Sequence, residues 1–470
     1  MTTWAPTLGS SGRAAPARRP GRRARFDAGV RLASVAVLWL SLLLVTYWWV
    51  TGGGVQDLGG WATGVESIGR LSGLVGSVLL LAQVVLMSRL PVLERAYGQD
   101  RLAHLHRLVG FTSFNLVLVH VATITLGYAG GRLAATPGTF WDLTVNYPGM
   151  LLAVAGTACL VMVAVTSTRA ARGRLRYESW HLLHLYAYLG VGLALPHQLW
   201  TGTELTSSPS RTVFWWTAWG ATAALVLATR VGRPVLLNLR HQLRVTSVVA
   251  EGPGVWSVYV AGRRLDRMPV EAGQFLTWRF LTGPGWSRGN PYSLSAAPDG
   301  RSLRITIQGV GDGSDATARL QPGTRVLVEG PFGRLSDRPR TRAKLAFIGA
   351  GVGSTPLRAL AEGLAYAPGD AVYLERCTDQ PLFVRELDLL ASERGLRLLR
   401  MPGRRRYDGS WLSVHGGAVS DTDALRYWVP DIADRDVYVC GPAAWTDLVR
   451  ASLREAGLPD DQLHLETFTW

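Results

Sequence analysis

Cysteine is scarce in this sequence of 470 residues: Cys159, Cys377 and Cys440 are scattered, with no paired spacing. Both a four-cysteine iron–sulfur cluster and a four-cysteine zinc site need four thiolates, so neither can be built within the chain. The spacing does not support a disulfide framework either. An EF-hand loop is also missing from the sequence, which therefore does not suggest control by calcium.

Lysine is absent from the first 245 residues, where every basic residue is arginine. The net charge of +15 would suit nucleic-acid binding, but the arginines are concentrated in alternate loops. They cluster before residue 32 and within 89–107, 169–176 and 230–244, whereas Arg70, Arg132 and Arg211 lie between the clusters. This asymmetry follows the positive-inside rule. We therefore expect a lipid membrane and no nucleic acid as partner, with the N-terminus and the C-terminal half in the cytoplasm.

Residues 32–230 contain nearly all the long apolar runs. We interpret residues 1–28 as a disordered, Arg-rich cytoplasmic tail and residues 29–232 as a transmembrane domain. The first apolar run has 19 uncharged residues, which is longer than the apolar part of a signal peptide. We predict six spans, at about 32–50, 67–88, 104–127, 147–167, 178–200 and 212–230, in a multi-pass protein of the cell membrane.

Two pairs of histidines lie in the third and fifth predicted spans. His106 and His120 are fourteen residues apart, and His184 and His197 are thirteen apart. Each pair therefore spans roughly 20 Å of helix, which places one histidine near each face of a bilayer. The two helices run parallel, so the first histidines share the inner side. Neutral imidazole is an axial ligand of haem iron, and the pattern indicates two stacked bis-histidine haem sites.

The helical phase of the two pairs differs. Fourteen residues fall about 40° short of four full rotations, so His106 and His120 share a face, whereas His104 points away. Thirteen residues leave His184 and His197 about 140° apart, and His181 does no better. A kink at Pro196 or a local π-type widening could correct this phase.

Arg70 is unusual because it lies inside an apolar run near the outer face. It could be an interfacial arginine, or it could meet a haem propionate or an anionic acceptor beside the outer haem. Arg107 could serve the inner haem similarly, although its place in a cytoplasmic loop favours a structural role.

The pattern changes after residue 240. Short alternating segments over 241–340 predict an antiparallel β-barrel. Strands then alternate with helices over 341–470, which predicts a parallel sheet with helices on both faces. The segment GAGVGSTP follows a strand and opens a helix, a context that favours binding of a nicotinamide dinucleotide. Its candidate residues are Gly349, Gly351, Gly353, Ser354, Thr355 and Pro356.

The segment NPYSLS resembles the flavin strand of the ferredoxin–NADP reductase superfamily. The resemblance implies that Tyr292 lies against the flavin ring and that Ser293 hydrogen-bonds near its N5. The family's arginine is replaced by Asn290, so the flavin phosphate needs another cation, for which Arg288 is a candidate. QGVGDGSDA resembles the second flavin segment, where Gly313 and Ser314 would offer backbone N–H groups to the pyrophosphate. The remaining flavin-strand candidates are Pro291, Leu294 and Ser295.

The C-terminal segments VYVCGP and HLETFTW continue this resemblance. It implies that Cys440 lies near the site of hydride transfer, followed by Gly441 and Pro442, and that Phe468 covers the flavin ring, with Trp470 as the competing candidate. Arg376 follows the second strand and could meet the 2′-phosphate of NADPH, helped by Arg404, Arg405 and Arg406. Solvated arginines with no such role are the alternative, so NADPH and NADH both remain open.

Together, the histidine pairs and the cytoplasmic motifs resemble the ferric reductase/NADPH oxidase superfamily. The resemblance implies a flavocytochrome b that passes electrons from NAD(P)H through FAD and two b-type haems to an extracytoplasmic acceptor. Oxygen, giving superoxide, is the acceptor we expect. The alternatives are reduction of ferric chelates and delivery of electrons to a partner protein or a quinone. A homo-oligomer is possible, and its size is not predicted.

Overall fold

The computed structural model describes residues 22–174, 177–283, 286–378, 380–415 and 419–468. The chain forms two compact units. The helical unit comprises Gly29–Leu93 and Gln99–Val231. The sheet unit comprises Glu94–Gly98, the residues from Gly232 onward and the described residues before Gly29.

Helices account for nearly all regular structure up to residue 241. Their bounds, in chain order, are α1 Arg22–Thr51, α2 Gly54–Asp57, α3 Trp61–Leu86, α4 Pro91–Tyr97, α5 Gln99–Tyr128, α6 Thr136–Asn146, α7 Met150–Thr166, α8 Arg169–Arg172, α9 Tyr177–Leu193, α10 Leu195–Trp200, α11 Thr203–Thr206, α12 Pro209–Leu227 and α13 Arg233–His241. A π-helical turn over Ala228–Gly232 joins α12 to α13. Ser208 accepts a hydrogen bond from the backbone N–H of Arg211 and so caps α12, which begins with proline.

Fewer than six of the described helices are long enough to cross a membrane on their own. Among the described residues, four helices are long and apolar enough to cross a membrane: Arg25–Thr51, Trp61–Leu86, Arg101–Tyr128 and Pro209–His241. A fifth is possible if α6 and α7, which meet at 114°, form one bent span. The fifth predicted span is divided between α9, of 17 residues, and α10. Six spans therefore stay a prediction.

Glycines bring the long helices close together. A Cβ atom added at Gly127 would lie 3.0 Å from the backbone nitrogen of Glu66, so α3 and α5 touch nearly backbone to backbone. A Cβ added at Gly156 would lie 2.6 Å from the carbonyl oxygen of Gly190, which shows the same for α7 and α9. Small residues at such positions allow the close packing that membrane helices use in place of a hydrophobic driving force. This packing determines which histidines can meet.

The first half of the sheet unit consists of two antiparallel three-stranded sheets, ordered β1-β2-β5 and β4-β3-β6. Single bridges, Leu294 to Ile305 and Arg244 to Arg325, join their edges. The inward residues, Trp278, Val258 and Ile305 among them, form one buried core. The bounds are β1 Arg244–Gly252, β2 Val255–Ala261, β3 Phe275–Phe280, β4 Asn290–Ser293, β5 Ser302–Gln308, α14 Asp312–Asp315 and β6 Val326–Phe332.

The second half is a five-stranded parallel sheet in the order β11-β10-β7-β8-β9. Two separate buried clusters cover it, which is the arrangement expected for helices on both faces. The bounds are β7 Lys344–Ala350, α15 Ser354–Gly363, β8 Ala371–Cys377, α16 Val384–Arg394, β9 Arg397–Pro402, α17 Asp421–Trp428, β10 Arg435–Pro442, α18 Ala443–Glu455 and β11 Leu463–Phe468. The carboxyl ends of β7, β8 and β10 therefore lie side by side, which is where such sheets bind ligands.

Candidate functional site

His106 of α5 and His184 of α9 face each other in the helical unit. Their ring centroids are 6.1 Å apart, with the ring planes inclined at 67°. Two imidazoles that bind one metal from opposite sides, each with a metal–nitrogen distance of about 2.1 Å, have centroids about 6 Å apart. The observed separation therefore fits one bis-histidine haem iron. His104 and His181, the alternatives on the same helices, are exposed.

The hydrogen bond of His106 fixes which ring nitrogen is available. Its Nδ1 lies 3.2 Å from the backbone oxygen of Gln83 in α3. A carbonyl oxygen can only accept, so Nδ1 carries the proton, and Nε2 of the neutral ring keeps a lone pair for a metal. Histidine ligands in metal sites are typically held in this way by a backbone carbonyl. Nδ1 of His184 lies 3.3 Å from the hydroxyl oxygen of Ser167, which orients that ring similarly.

In the outer pair, His120 is held by the same kind of hydrogen bond as His106. Nδ1 of His120 donates to the backbone oxygen of Gly69 at 2.8 Å. His197 is close enough to His120 to interact with it electrostatically. Glycines lie against both residues: an added Cβ would be 2.6 Å from Nδ1 of His120 at Gly73, and 2.7 Å from the backbone nitrogen of His197 at Gly149.

The helix break before Pro196 separates His184 from His197. The first lies in α9, which ends at Leu193, and the second in α10, which begins at Leu195. Proline lacks an N–H and is tolerated in the first turn of a helix, so a new helix starts here. The thirteen-residue phase of a single ideal helix therefore does not apply. The alternative, a π-type widening, occurs in this protein at Ala228–Gly232 and not between the two histidines.

Trp180 and Arg172 were not predicted as site residues. The Trp180 ring lies 5.1 Å from the ring of His184, and the guanidinium carbon of Arg172 lies 4.5 Å from the centroid of Trp180. This cation–π contact places a positive charge one ring away from a proposed haem ligand. The spacing of four between Trp180 and His184 on one helix was the available sequence signal.

Arg70 is paired with a nearby carboxylate. Its guanidinium forms an ion pair with Asp57 and lies 3.5 Å from the hydroxyl oxygen of Ser67. Arg70 follows Gly69, whose carbonyl accepts the hydrogen bond from His120, so the arginine is near the outer pair along the chain. The carboxylate of Asp57 already balances its charge, which supports the structural interpretation of this residue more than recruitment of an anion.

A cavity of about 280 Å³ opens beside α10. The wall contains Leu199 and Trp200, which are two and three residues after His197 and hence within one helical turn of it. The indole N–H of Trp215, also in the wall, has no hydrogen-bond partner among the described residues. The other lining residues are Leu205, Thr206, Thr212 and Trp216. The lining is mostly apolar, and His197 itself is not part of it.

In the sheet unit, the predicted flavin residues lie on β4 and in the segment that follows it. Tyr292 is half-buried, and burial raises its pKa to about 12, so the phenol stays neutral. The buried hydroxyl of Ser293 has no hydrogen-bond partner among the described residues, which leaves it available to a ligand. Leu294 and Ser295 are fully buried. Asn290 and Pro291 pair with β3, opposite Trp278 and Thr277.

The second predicted flavin segment contains the four-residue helix α14. Gly313 is exposed there, and Ser314 uses its hydroxyl locally: it donates to the backbone oxygen of Gly311 at 2.8 Å and accepts from the N–H of Val310 at 2.9 Å. These bonds fix the turn rather than leaving the hydroxyl for a ligand. A role of this segment with pyrophosphate would have to come from its backbone.

The glycine-rich turn follows β7 directly. Gly351 has a φ of +54°, a conformation that glycine adopts without strain, and Ser354 to Pro356 open α15. A Cβ at Gly353 would overlap the backbone oxygen of Cys440, so the turn passes against the end of β10 with no room for a side chain. The buried Thr355 hydroxyl has no partner among the described residues. At Gly351, by contrast, an added Cβ would meet nothing within 4 Å, so a dinucleotide phosphate has room to approach the backbone there.

Cys440 lies at the carboxyl end of β10, opposite Gly349 of β7 and Glu466 of β11. Burial raises the pKa of its thiol well above the usual value, and the charge of Glu466 adds to the effect. The thiol is therefore neutral at physiological pH. Gly441 packs against Trp445 and leads to Pro442, opposite which Phe468 ends β11. The side chain of Phe468 and all of Trp470 lie outside the described residues.

Arg376 lies at the carboxyl end of β8, between Ala350 and Met401. Its side chain is buried, and among the described residues its guanidinium Nε has no hydrogen-bond partner. Burial also lowers its pKa, as expected for a cation without a matching anion. Of the three arginines proposed to help it, Arg404 is exposed, whereas Arg405 and Arg406 form ion pairs with Asp408 and Asp421.

Comparison with known proteins gives a separate result for each unit. The model of the family described as ferric reductase like transmembrane component matches residues 72–195, a stretch that includes His106, His120 and His184. Over 211 residues, the chain is 30% identical to the ferredoxin reductase component of 3-ketosteroid-9-alpha-monooxygenase from Mycolicibacterium smegmatis, covering 43% of this chain and 57% of that protein. The chain thus spans little more than half of that relative.

A shorter relative is covered more completely. The chain is 30% identical over 211 residues to ferredoxin–NADP reductase B of Sorangium cellulosum, covering 42% of this chain and 85% of the relative. Among solved structures, the flavohem-like FAD/NAD binding domain of nitric oxide dioxygenase from Vibrio cholerae matches 48% of this chain and 98% of its own, with 22% identity and a TM-score of 0.37.

Proposed function

We propose that this chain is a transmembrane NAD(P)H oxidase. The chain belongs to the ferric reductase-like transmembrane proteins that carry a ferredoxin–NADP reductase-type dehydrogenase domain. In this proposal, electrons from cytoplasmic NAD(P)H cross the membrane to an acceptor on the other side. When bound, FAD would divide the electron pair of the hydride and two b-type haems would conduct the electrons singly.

The observation that carries the proposal is the inner histidine pair. The rings of His106 and His184 have the separation that suits one iron, and the Gln83 carbonyl holds His106 with Nε2 available. His120 and His197 would hold the outer haem, with the Gly69 carbonyl playing the same part for His120. The chain's task at both sites is to keep each imidazole in one tautomer and one orientation.

The sheet unit would supply the electrons. Ser293 offers a hydroxyl to the flavin, and the neutral phenol of Tyr292 provides a flat, half-buried surface beside it. Gly353 lets the glycine-rich turn pack against the end of β10, and Gly351 leaves room beside the turn for the nicotinamide dinucleotide. The neutral Cys440 thiol would lie at the site of hydride transfer. Arg376, a buried cation whose Nε has no hydrogen-bond partner among the described residues, supports NADPH over NADH because the 2′-phosphate would supply an anion beside it.

Oxygen is the acceptor that we propose. The mostly apolar cavity, whose wall includes Leu199 and Trp200 just after His197 in the chain, would admit a small apolar molecule such as O2. The test uses purified protein in detergent with FAD, haem and NADPH. We expect cytochrome c reduction that superoxide dismutase suppresses. Retained reduction of Fe(III) chelate without such a signal would contradict oxygen as the acceptor and favour a ferric reductase.

Whether electrons need another protein is settled by the same preparation. NADPH oxidation that starts only when a second protein or a quinone is added would favour a membrane module feeding a partner. The steady-state rates with NADPH and NADH, measured side by side, would test the role that we propose for Arg376.

A further inference from the structure

A cluster of two buried arginines and two partly exposed glutamates joins the two halves of the sheet unit. Arg304 belongs to β5 of the antiparallel sheets, whereas Glu386 belongs to α16 beside the parallel sheet. The two guanidinium nitrogens of Arg304 donate to the two carboxylate oxygens of Glu386 at 2.7 and 2.9 Å. Such a bidentate pair fixes orientation as well as distance.

Glu386 also contacts a second arginine. Nε of Arg358, in α15, lies 2.6 Å from Oε2 of Glu386, and Nη1 of Arg358 donates to Glu362 at 2.6 Å. The cluster therefore contains two positive and two negative charges and is neutral as a whole. Because one carboxylate bridges two arginines from different halves, its removal would leave two buried cations facing each other.

The same arginines hold the chain just after the predicted flavin strand. Arg304 donates to the hydroxyl of Ser295 at 3.0 Å and to its carbonyl oxygen at 2.7 Å, and Arg358 donates to that carbonyl at 3.1 Å. Glu362 accepts from the backbone N–H of Ala297 at 2.6 Å. Helix α15, which begins at the glycine-rich turn, is thus bonded directly to the segment that follows Tyr292 and Ser293.

The electrostatics of the cluster favour its charged form. Burial alone would raise the pKa of Glu386, but hydrogen bonds from Arg304 and the charge of Arg358 outweigh it, so its pKa is lowered. Phe383 and Tyr259 lie beside the guanidinium of Arg304, with their ring centroids 5.2 and 5.8 Å from its central carbon. The rings flank the Arg304 side chain, which is only 6% exposed, whereas Glu386 stays partly exposed at 30%.

We propose that Glu386 is a positioning residue for hydride transfer: by bridging Arg304 and Arg358, it sets the distance between the flavin bound near β4 and the nicotinamide bound at the start of α15. This inference rests on the proposed reduction of a flavin by NAD(P)H in this unit. Glu386 itself would touch neither cofactor. Its effect passes through Ser295 on one side and through α15 on the other.

The test is anaerobic stopped-flow reduction of the FAD-loaded, full-length protein by NADPH, with Glu386→Gln compared with Asp388→Asn. Asp388 is a matched control because it lies on the same helix and pairs with Arg400 at 2.8 Å on an exposed surface. We expect Glu386→Gln to lower the limiting rate of flavin reduction roughly 10- to 100-fold, the loss typical of a misplacement of about 1 Å. FAD content should be unchanged, and the flavin–nicotinamide charge-transfer absorbance should weaken. Asp388→Asn should behave as wild type.

Arg304→Lys is the second variant, in case Glu386→Gln does not fold. It keeps the charge but loses the bidentate geometry, so it should also slow flavin reduction with FAD retained. A wild-type rate in either variant would overturn the inference while leaving the proposed function intact. Loss of FAD from both variants would overturn it as well, because the cluster would then hold the flavin domain itself. A wild-type protein whose bound FAD is not reduced by NAD(P)H would contradict both proposals.

Discussion

Replacing Gly73 by alanine should displace His120 and remove the outer haem. An ideal Cβ at residue 73 would lie 2.6 Å from Nδ1 of His120. Nonbonded heavy atoms approach to about 3.5 Å without repulsion, so the imidazole or the helix must move by about 1 Å. The direction of this movement matters because the same nitrogen donates to the Gly69 carbonyl at 2.8 Å.

A shift of about 1 Å would lengthen that hydrogen bond beyond the useful range and cost about 1 kcal/mol. The consequence for the metal is larger, since ligand distances must hold to within about 0.2 Å. We therefore expect Gly73→Ala to retain one haem per chain instead of two. Pyridine haemochromogen assay of the purified protein measures this directly, and redox titration would show that the missing haem is the outer one.

Gly220→Ala is the matched control, because nothing lies within 4 Å of a Cβ at that position in α12. Both substitutions replace a helical glycine by alanine, so they share the gain in helix propensity of about 1 kcal/mol. A Gly73→Ala protein with two haems and wild-type midpoint potentials would refute the assignment of His120 as an outer ligand held between Gly69 and Gly73.

Three further predictions follow from the sites. In the same haem assay, His184→Ala should lose the inner haem and His104→Ala should keep both haems, because the His184 ring faces His106. Two haems in His184→Ala would exclude the pairing of His106 with His184. Arg376→Gln should raise the KM for NADPH about tenfold or more and leave the KM for NADH unchanged, since a hydrogen bond to a charged group contributes about 1.5–3 kcal/mol. Substitution of the exposed Arg404 by Gln is the control. Equal effects of Arg376→Gln on the KM values of both nucleotides would contradict the proposal. Burial raises the pKa of Glu375 from 4.5 to about 7, against the opposing charge of Arg400. Because the pKa is raised in the folded state, the free energy of unfolding should fall by about 3 kcal/mol as the pH rises from about 4.5 to 7. Glu375→Gln should reduce this difference in urea unfolding measured at pH 5 and 8. An unchanged pH dependence in the variant would exclude Glu375 as the cause.

Local patterns predicted the elements of the sheet unit well. The strand segment AVYLERC coincides with β8, and the glycine-rich turn lies between β7 and α15 as expected. These features depend on residues near one another in sequence, where periodicity and turn chemistry act directly. The phase argument that preferred His106 to His104 is of the same kind, and the structure turns His106 toward His184.

Features that depend on distant residues could not be predicted in this way. The sequence indicated a kink at Pro196, but the interruption at Ala194 between α9 and α10 also depends on how these short helices pack against α7, including the approach of Gly149 to His197. Arg70 was interpreted from its apolar surroundings, whereas its charge is balanced by Asp57 from a separate helix. The bridge from Arg304 to Glu386 joins residues 82 positions apart, and no local pattern marks either partner.

In the proposed function, electrons pass from NAD(P)H in the sheet unit to haems held by the two histidine pairs. Anaerobic addition of NADPH to the purified protein loaded with FAD and haem tests this transfer, with the haem absorbance followed over time. We expect reduction of two bis-histidine haems per chain, and of one in His106→Ala. Reduced flavin with haems that stay oxidised, or an unaltered haem content in His106→Ala, would contradict it.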